Sequence, residues 1–92
     1  MTARPDRPAI QAEILRQISA REAGKSICPS EVARALLPEA WQSLMTPVRQ
    51  AAVALAREGR LEVLRKGKPA ALDDLRGVIR LRAPELGTPA PD

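Results

Sequence analysis

Apolar residues recur every three to four positions in three stretches of the chain, which is the spacing of one face of an α-helix. These stretches predict helices over residues 8–23, 29–37 and 46–58. A proline stands at or near the start of each, where its missing N–H costs little, and a glycine follows the first and the third. Thr46 is predicted to be the N-cap of the third helix, with Pro47 as its first helical residue.

After the third helix the spacing of apolar residues changes from helical to alternating. Charged and apolar residues alternate over residues 60–66 and 78–82, which predicts two β-strands. Residues 66–69 predict a turn and residues 70–77 a longer excursion, and residues 26–28 would add a third strand. This order predicts a mainly α fold with a small antiparallel β-sheet: a winged helix-turn-helix of three helices plus a β-hairpin wing.

The apolar residues on the inward faces of these elements are predicted to form one core. They are Ile10, Ile14, Ile18, Val32, Leu36, Trp41, Leu44, Val48, Leu55, Leu61, Ile79 and Leu81. Trp41 is expected to fill the space between the second and third helices rather than to serve as a platform for a ligand. With no other aromatic residue in the chain, recognition of single-stranded nucleic acid by stacking is not expected.

The length of 92 residues suits a single domain. Residues 1–7 and 83–92 contain several prolines and few apolar side chains, and they are therefore predicted to be disordered tails. The winged-helix domain is predicted to occupy residues 8–82. No apolar run is long enough to cross a membrane, and no apolar stretch follows the N-terminal arginines as it does in a secretory signal. A cytoplasmic protein with no membrane partner is expected.

The composition removes most of the residues that enzymes and metal sites use. The chain has no histidine and a single cysteine, Cys28, so neither an internal disulfide nor a zinc site of the usual kind can form. Histidine is also the commonest general base, and no glycine-rich phosphate-binding loop is present. We therefore expect a protein that is not an enzyme and that binds no metal and no cofactor.

Four segments of the sequence resemble a known family. They are KSICPSEVARAL (25–36), WQSLMTPVRQAA (41–52), LAREGRLEVLRKGKP (55–69) and RGVIRLR (76–82). Together they resemble a small bacterial family catalogued as domain of unknown function 3253. The resemblance implies a winged-helix-like fold, and it implies no assigned activity.

The basic charge is concentrated in the second half of the predicted domain. Residues 49–82 hold nine basic and four acidic residues, a net charge of +5, whereas the rest of the chain has six basic and seven acidic residues, a net charge of −1. The sum is the +4 of the whole chain. The excess lies on the third helix and the wing, the elements that contact duplex DNA in this fold. The alternative is an ordinary basic surface in contact with solvent.

The candidate nucleic-acid-binding residues share an exposed position on the third helix or the wing turn: Thr46, Arg49, Gln50, Arg57, Arg65, Lys66 and Lys68. Arg49 could pair with guanine and Gln50 with adenine in the major groove. Arg57 and the three cations of the turn could contact phosphates. These residues predict a domain that binds duplex DNA, as a transcriptional regulator does.

The rival prediction is a protein-interaction module, because winged helices also serve as adaptors. In that case exposed apolar residues would matter more than the cations. Val53 on the outer face of the third helix, and Leu61 and Leu72 near the wing, are the candidate contacts. Fold alone does not decide between the two functions.

Overall fold

A computed structural model describes residues 4–22, 24–72 and 77–84. It has three α-helices: α1 (Arg7–Ala20), α2 (Pro29–Leu36) and α3 (Met45–Arg57). Four short strands form one antiparallel sheet: β1 (Ser26–Ile27), β2 (Glu62–Arg65), β3 (Lys68–Pro69) and β4 (Arg80–Arg82). The predicted fold class is confirmed, and the arrangement is consistent with a winged-helix-like fold. None of the described helices has the length and apolarity to cross a membrane.

Helix α1 is displaced toward the N-terminus relative to its prediction. It begins at Arg7 because the side chain of Asp6 accepts a hydrogen bond from the N–H of Ala9 at 3.0 Å and caps the helix. It ends at Ala20 because Arg21 adopts an extended conformation, with φ −84° and ψ 153°. The predicted extension to residue 23 was therefore wrong.

The start of the domain includes residues that were predicted to be a tail. The guanidinium of Arg4 donates hydrogen bonds to the Oγ of Ser43 at 3.0 Å and to its carbonyl at 3.2 Å. Arg7 is the first residue of α1. The rest of the predicted tails, residues 1–3 and 85–92, lies outside the described residues.

The connection between α2 and α3 is a 3₁₀-helix, Pro38–Leu44, with a kink at Ala40. It runs directly into α3, because Leu44 already has helical dihedral angles of φ −95° and ψ −5°. Thr46 consequently lies inside the first turn, and its predicted role as the N-cap was wrong. Because the helical conformation is not interrupted before Thr46, no residue there has the extended conformation of an N-cap.

Helix α3 ends at a glycine, as predicted. Gly59 has φ +76°, a conformation that residues with a Cβ rarely adopt. The N–H of Arg60 donates to the carbonyl of Leu55 and the N–H of Gly59 to that of Ala56, each at 3.0 Å. This pair of bonds satisfies the last carbonyls of the helix and turns the chain toward β2.

Replacing Gly59 with alanine is expected to lower the free energy of unfolding by about 1 kcal/mol, because an L-residue is strained at this φ. Nothing lies within 4 Å of an added Cβ, so the loss comes from the backbone alone. Chemical denaturation measures it. Asparagine at the same position serves as the control, because it tolerates this conformation and should lose less. Equal stability of the alanine and glycine proteins would contradict the assignment.

The sheet places the last strand in its centre, in the order β1-β4-β2-β3. Strands β2 and β3 form a two-residue hairpin, in which Lys66 and Gly67 have φ values of +55° and +80°. Lys68 and Pro69 were predicted to belong to the turn, and this was wrong because the chain reverses within two residues. Pro69 lies on the edge strand, where its missing N–H leaves no partner unsatisfied.

The core lies between the three helices and one face of the sheet. Ten of the twelve predicted core residues are buried, and the other two, Leu36 and Trp41, are half-buried and pack against them. The guanidinium of Arg34 lies over the ring of Trp41, 4.4 Å from its centroid. The indole therefore packs against the core, but it is half-buried, whereas the sequence predicted it to be mostly buried.

Helices α1 and α2 are joined at the surface by a polar contact. The guanidinium of Arg16 donates to Glu13, and this hydrogen bond holds the pKa of the Glu13 carboxyl below its ordinary value. Gln17 donates to the same carboxylate at 2.7 Å and also reaches the carbonyl of Glu31 at 3.3 Å. This contact lies away from the candidate functional residues and belongs to the packing of the two helices.

Candidate functional site

The exposed side of α3 is set by the residues that face away from the core. Its buried side consists of Val48, Ala51, Ala52 and Leu55. The opposite side carries Thr46, Gln50, Val53 and Arg57, which follow one another at spacings of four, three and four residues. They form one stripe about 16 Å long, from the first turn of the helix to its last.

An open groove of about 530 Å³ runs along this stripe. It is lined by Thr46, Arg49, Gln50, Val53, Ala54 and Arg57 of α3 and by Leu72 from the segment that follows β3. We call it the α3 groove. It brings together the four candidate residues that were predicted on the third helix, and it adds an apolar centre made of Val53, Ala54 and Leu72.

Arg49 lies on the flank of this groove and contacts the segment that leads into β4. Its Nη1 donates a hydrogen bond to the carbonyl of Gly77 at 2.9 Å, across 28 positions of sequence, and its side chain is half-buried. Sequence reasoning placed Arg49 at a base edge. In the structure this guanidinium nitrogen is bonded to the segment that leads into β4, so Arg49 connects α3 to that segment.

The three remaining candidates form a second site on the β2–β3 hairpin. Arg65, Lys66 and Lys68 line a shallow hollow of about 510 Å³ together with Pro69, Ala70 and Ala71. We call it the hairpin hollow. Ala71 of this hollow is followed in the chain by Leu72 of the α3 groove, so one short segment lines both depressions.

Several cations of the basic segment are engaged within the fold. Arg80 donates to the Oγ of Ser26 at 2.7 Å and to its carbonyl at 3.0 Å, which joins β4 to β1. Arg82 pairs with Glu62 across the β4–β2 ladder. Arg60 lies 3.6 Å from Glu58 at an exposed position, where such a pair contributes little.

The side chains of four other cations of this segment make no hydrogen bond and no ion pair within the described part of the chain. They are Arg57, Arg65, Lys66 and Lys68. Arg65 is half-buried and the other three are exposed. Arg76 lies outside the described residues. The structure thus separates the basic residues of 49–82 into a group that holds the fold together and a group that is available to a ligand.

The apolar candidates of the rival prediction separate in the same way. Val53 and Leu72 line the α3 groove. Leu61 is only 3% exposed and belongs to the core, so its suggested role as a surface contact was wrong. Leu61 and Val63 are two positions apart and therefore share one side of an extended chain, and both are buried. Leu64 is buried as well. Sequence reasoning missed Ala54, whose small side chain leaves room for the groove.

The described residues hold no group of three or more side chains that could ligate a metal ion. Cys28, the single cysteine, is half-buried at the start of α2. Its Sγ accepts a hydrogen bond from the Oγ of Ser30 at 3.1 Å, and its N–H donates to the carboxylate of Glu31 at 2.7 Å. These contacts give Cys28 a place in the start of the helix rather than in the α3 groove or the hairpin hollow.

Comparison with known proteins supports the resemblance noted from the sequence. The model of a family described as "Protein of unknown function (DUF3253)" matches residues 7–84, which include every helix and strand described above. No curated protein matches the chain. The family match covers both the α3 groove and the hairpin hollow, and it assigns no activity to either.

Proposed function

The chain belongs to the family of proteins of unknown function DUF3253, and from its surface chemistry we propose that it is a non-enzymatic domain that binds duplex DNA. The proposed contacts come from the exposed side of α3 and from the β2–β3 hairpin. These are the two elements that a winged helix presents to DNA, the helix in the major groove and the wing along the backbone.

The observation that carries this proposal is the set of cations without partners in the described structure: Arg57, Arg65, Lys66 and Lys68. Duplex DNA carries about one phosphate for every 1.7 Å of its axis, and cations that neutralise phosphates release condensed counterions. Three of the four lie on the β2–β3 hairpin. Its two-residue turn brings Arg65 and Lys68 opposite each other in the ladder. The fourth lies at the end of α3.

The proposal gives Arg49 a different part from the one expected of it. Its hydrogen bond to the carbonyl of Gly77 holds the segment before β4 against α3. Since β4 pairs with β2, this bond links α3 to the sheet that carries the hairpin. A hairpin that is fixed relative to the helix costs less ordering entropy when both contact one ligand. Arg49 is therefore proposed as a positioning residue, and Gln50 remains the candidate that faces a base.

A titration of the protein with random-sequence duplex DNA at several salt concentrations tests the proposal. With four phosphate contacts, the slope of log K against log salt should be about −3.6. Fluorescence polarisation of a labelled duplex measures it. Affinity weaker than about 100 μM at low salt would contradict the proposal, because non-specific DNA binders usually do better even at physiological salt.

The α3 groove also favours a second candidate function, the docking of a protein partner. Its centre is apolar. Val78, which follows the Gly77 that accepts a hydrogen bond from Arg49, is 77% exposed, the single large apolar side chain so exposed among the described residues. Exposed apolar surface of this kind marks many interaction sites. If the domain docks a protein partner, its affinity for duplex DNA should be weaker than the limit just given. The same titration therefore separates the two functions.

A further inference from the structure

The α3 groove has a chemical pattern that goes beyond attraction to phosphates. Its centre is formed by the apolar side chains of Val53, Ala54 and Leu72. One helical turn before this centre stands Gln50, which is exposed, and one turn after it stands Arg57. An amide, an apolar floor and a cation therefore follow one another along the exposed side of α3.

The edges of base pairs in the major groove differ in the groups that such a surface can recognise. Adenine presents an acceptor, N7, and a donor, the N6 amino group, which together match the side-chain amide of glutamine. Thymine presents its C5-methyl group, which favours contact with small apolar side chains. A guanine–cytosine pair presents no methyl group, and guanine is read most often by arginine or lysine.

The cations of α3 are poorly placed to read guanine. The Nη1 of Arg49 is bonded to the carbonyl of Gly77. Arg57 is the last residue of the helix, whereas the N-terminal residues of a recognition helix contact base edges. The residues left facing the bases are Thr46, Gln50 and the apolar centre.

We propose that the α3 groove recognises adenine–thymine pairs in the major groove, with Gln50 hydrogen-bonding adenine and Val53 and Ala54 contacting the methyl group of thymine. This inference rests on the proposed function and names the sequence that its binding site prefers. Arg57 contacts a phosphate at the end of the same stripe. The stripe from Thr46 to Arg57 is as long as about five base pairs.

Three duplexes with identical flanks and different cores of about six base pairs test the inference. The cores are adenine–thymine, adenine–uracil and guanine–cytosine pairs. Uracil lacks only the C5-methyl group of thymine, so the phosphate charges and the pairing edge of adenine do not change. Each contacted methyl group that is removed should weaken binding about fourfold. The guanine–cytosine core should bind at least tenfold more weakly than the adenine–thymine core, because it also mismatches Gln50.

A protein variant separates the two contacts. Gln50→Ala should reduce the difference between the adenine–uracil and guanine–cytosine cores to less than about twofold, yet keep the difference between thymine and uracil. Gln50 is exposed on the helix, and alanine is a good helix former, so the variant should fold. Lys25→Gln, which changes an exposed residue beside β1, is the matched control and should leave all three affinities unchanged.

The outcomes distinguish this inference from the proposed function. Equal binding of the thymine and uracil cores overturns the contact with the methyl group. Equal binding of all three cores overturns the adenine–thymine preference and leaves the duplex-binding function standing. A preference for the guanine–cytosine core does the same. Failure to bind any of the three duplexes overturns the function itself, and the inference with it.

Discussion

Replacing Leu55 with alanine is expected to lower the free energy of unfolding by roughly 2–5 kcal/mol, the usual range for a fully buried leucine. Leu55 is completely buried on α3, which packs against α1, α2 and β2. Removing three carbon atoms there leaves a cavity that several elements would have to close together. Small domains have about 5–15 kcal/mol of stability in total, so the variant should unfold at much lower denaturant concentration.

Urea denaturation followed by circular dichroism measures this loss, and Gln50→Ala on the exposed side of the same helix is the control. The control should change the stability by less than about 0.5 kcal/mol, because it removes no buried surface. A similarly small loss for Leu55→Ala would place Leu55 outside the core and would contradict the packing of α3.

Removing the three positive charges of the hairpin should have the largest effect on DNA binding. The triple variant Arg65→Gln, Lys66→Asn and Lys68→Gln is expected to bind any duplex about a thousandfold more weakly at 50 mM salt. Each lost phosphate contact contributes roughly tenfold at that salt concentration, and the salt slope should become shallower by about 2.7. Asparagine is chosen at Lys66 because Asn-Gly is the preferred pair for this turn, so the hairpin is preserved.

Polarisation titrations of the variant and the wild-type protein at two salt concentrations measure both quantities. Lys25→Gln is again the matched control, since Lys25 precedes β1 at the edge of the sheet opposite β3. It should change affinity less than twofold. If the triple variant binds within twofold of the wild type while its thermal unfolding is unchanged, the hairpin does not contact DNA.

Local signals were enough to predict the three α-helices and three of the four strands. The helical spacing of Ile10, Ile14 and Ile18 identified α1, and all three are buried. The change of spacing after Gly59 identified β2, because a strand with one buried face alternates and a helix does not. These features depend on residues that are near one another in sequence, which is why a pattern in the sequence reveals them.

The predictions that failed depend on contacts between distant residues or on a neighbouring element. Thr46 has the chemistry of an N-cap, but the 3₁₀-helix before it continues into α3 and removes the position that a cap occupies. The bond between Arg49 and Gly77 is a contact that the sequence analysis missed, because the two residues are 28 positions apart and no spacing in the sequence indicates that they meet. The predicted contact of Arg49 with a base stays a prediction. The turn was predicted two residues too long, because Lys-Gly lacks the asparagine or aspartate that usually marks a two-residue turn.

The candidate site was predictable as a set of residues but not as an arrangement. The charge asymmetry selected both α3 and the hairpin, and all seven candidate residues line one of the two depressions. The apolar centre of the α3 groove could not be predicted in the same way, because Leu72 reaches it from outside the helix. Which cations are engaged in the fold also depends on partners such as Ser26, which lies 54 positions from Arg80.

The central position of β4 has a consequence for the way the chain is made. Strand β1 pairs only with β4 within the described sheet, and Ile27 meets Leu81 only after most of the chain has been synthesised. A ribosome synthesises the chain from the N-terminus, so β1 and β2 emerge before β4, the strand that lies between them in the sheet. The helices can pack early through contacts that are close in sequence. The sheet is completed later, when β4 inserts between β1 and β2 and joins both ends of the domain.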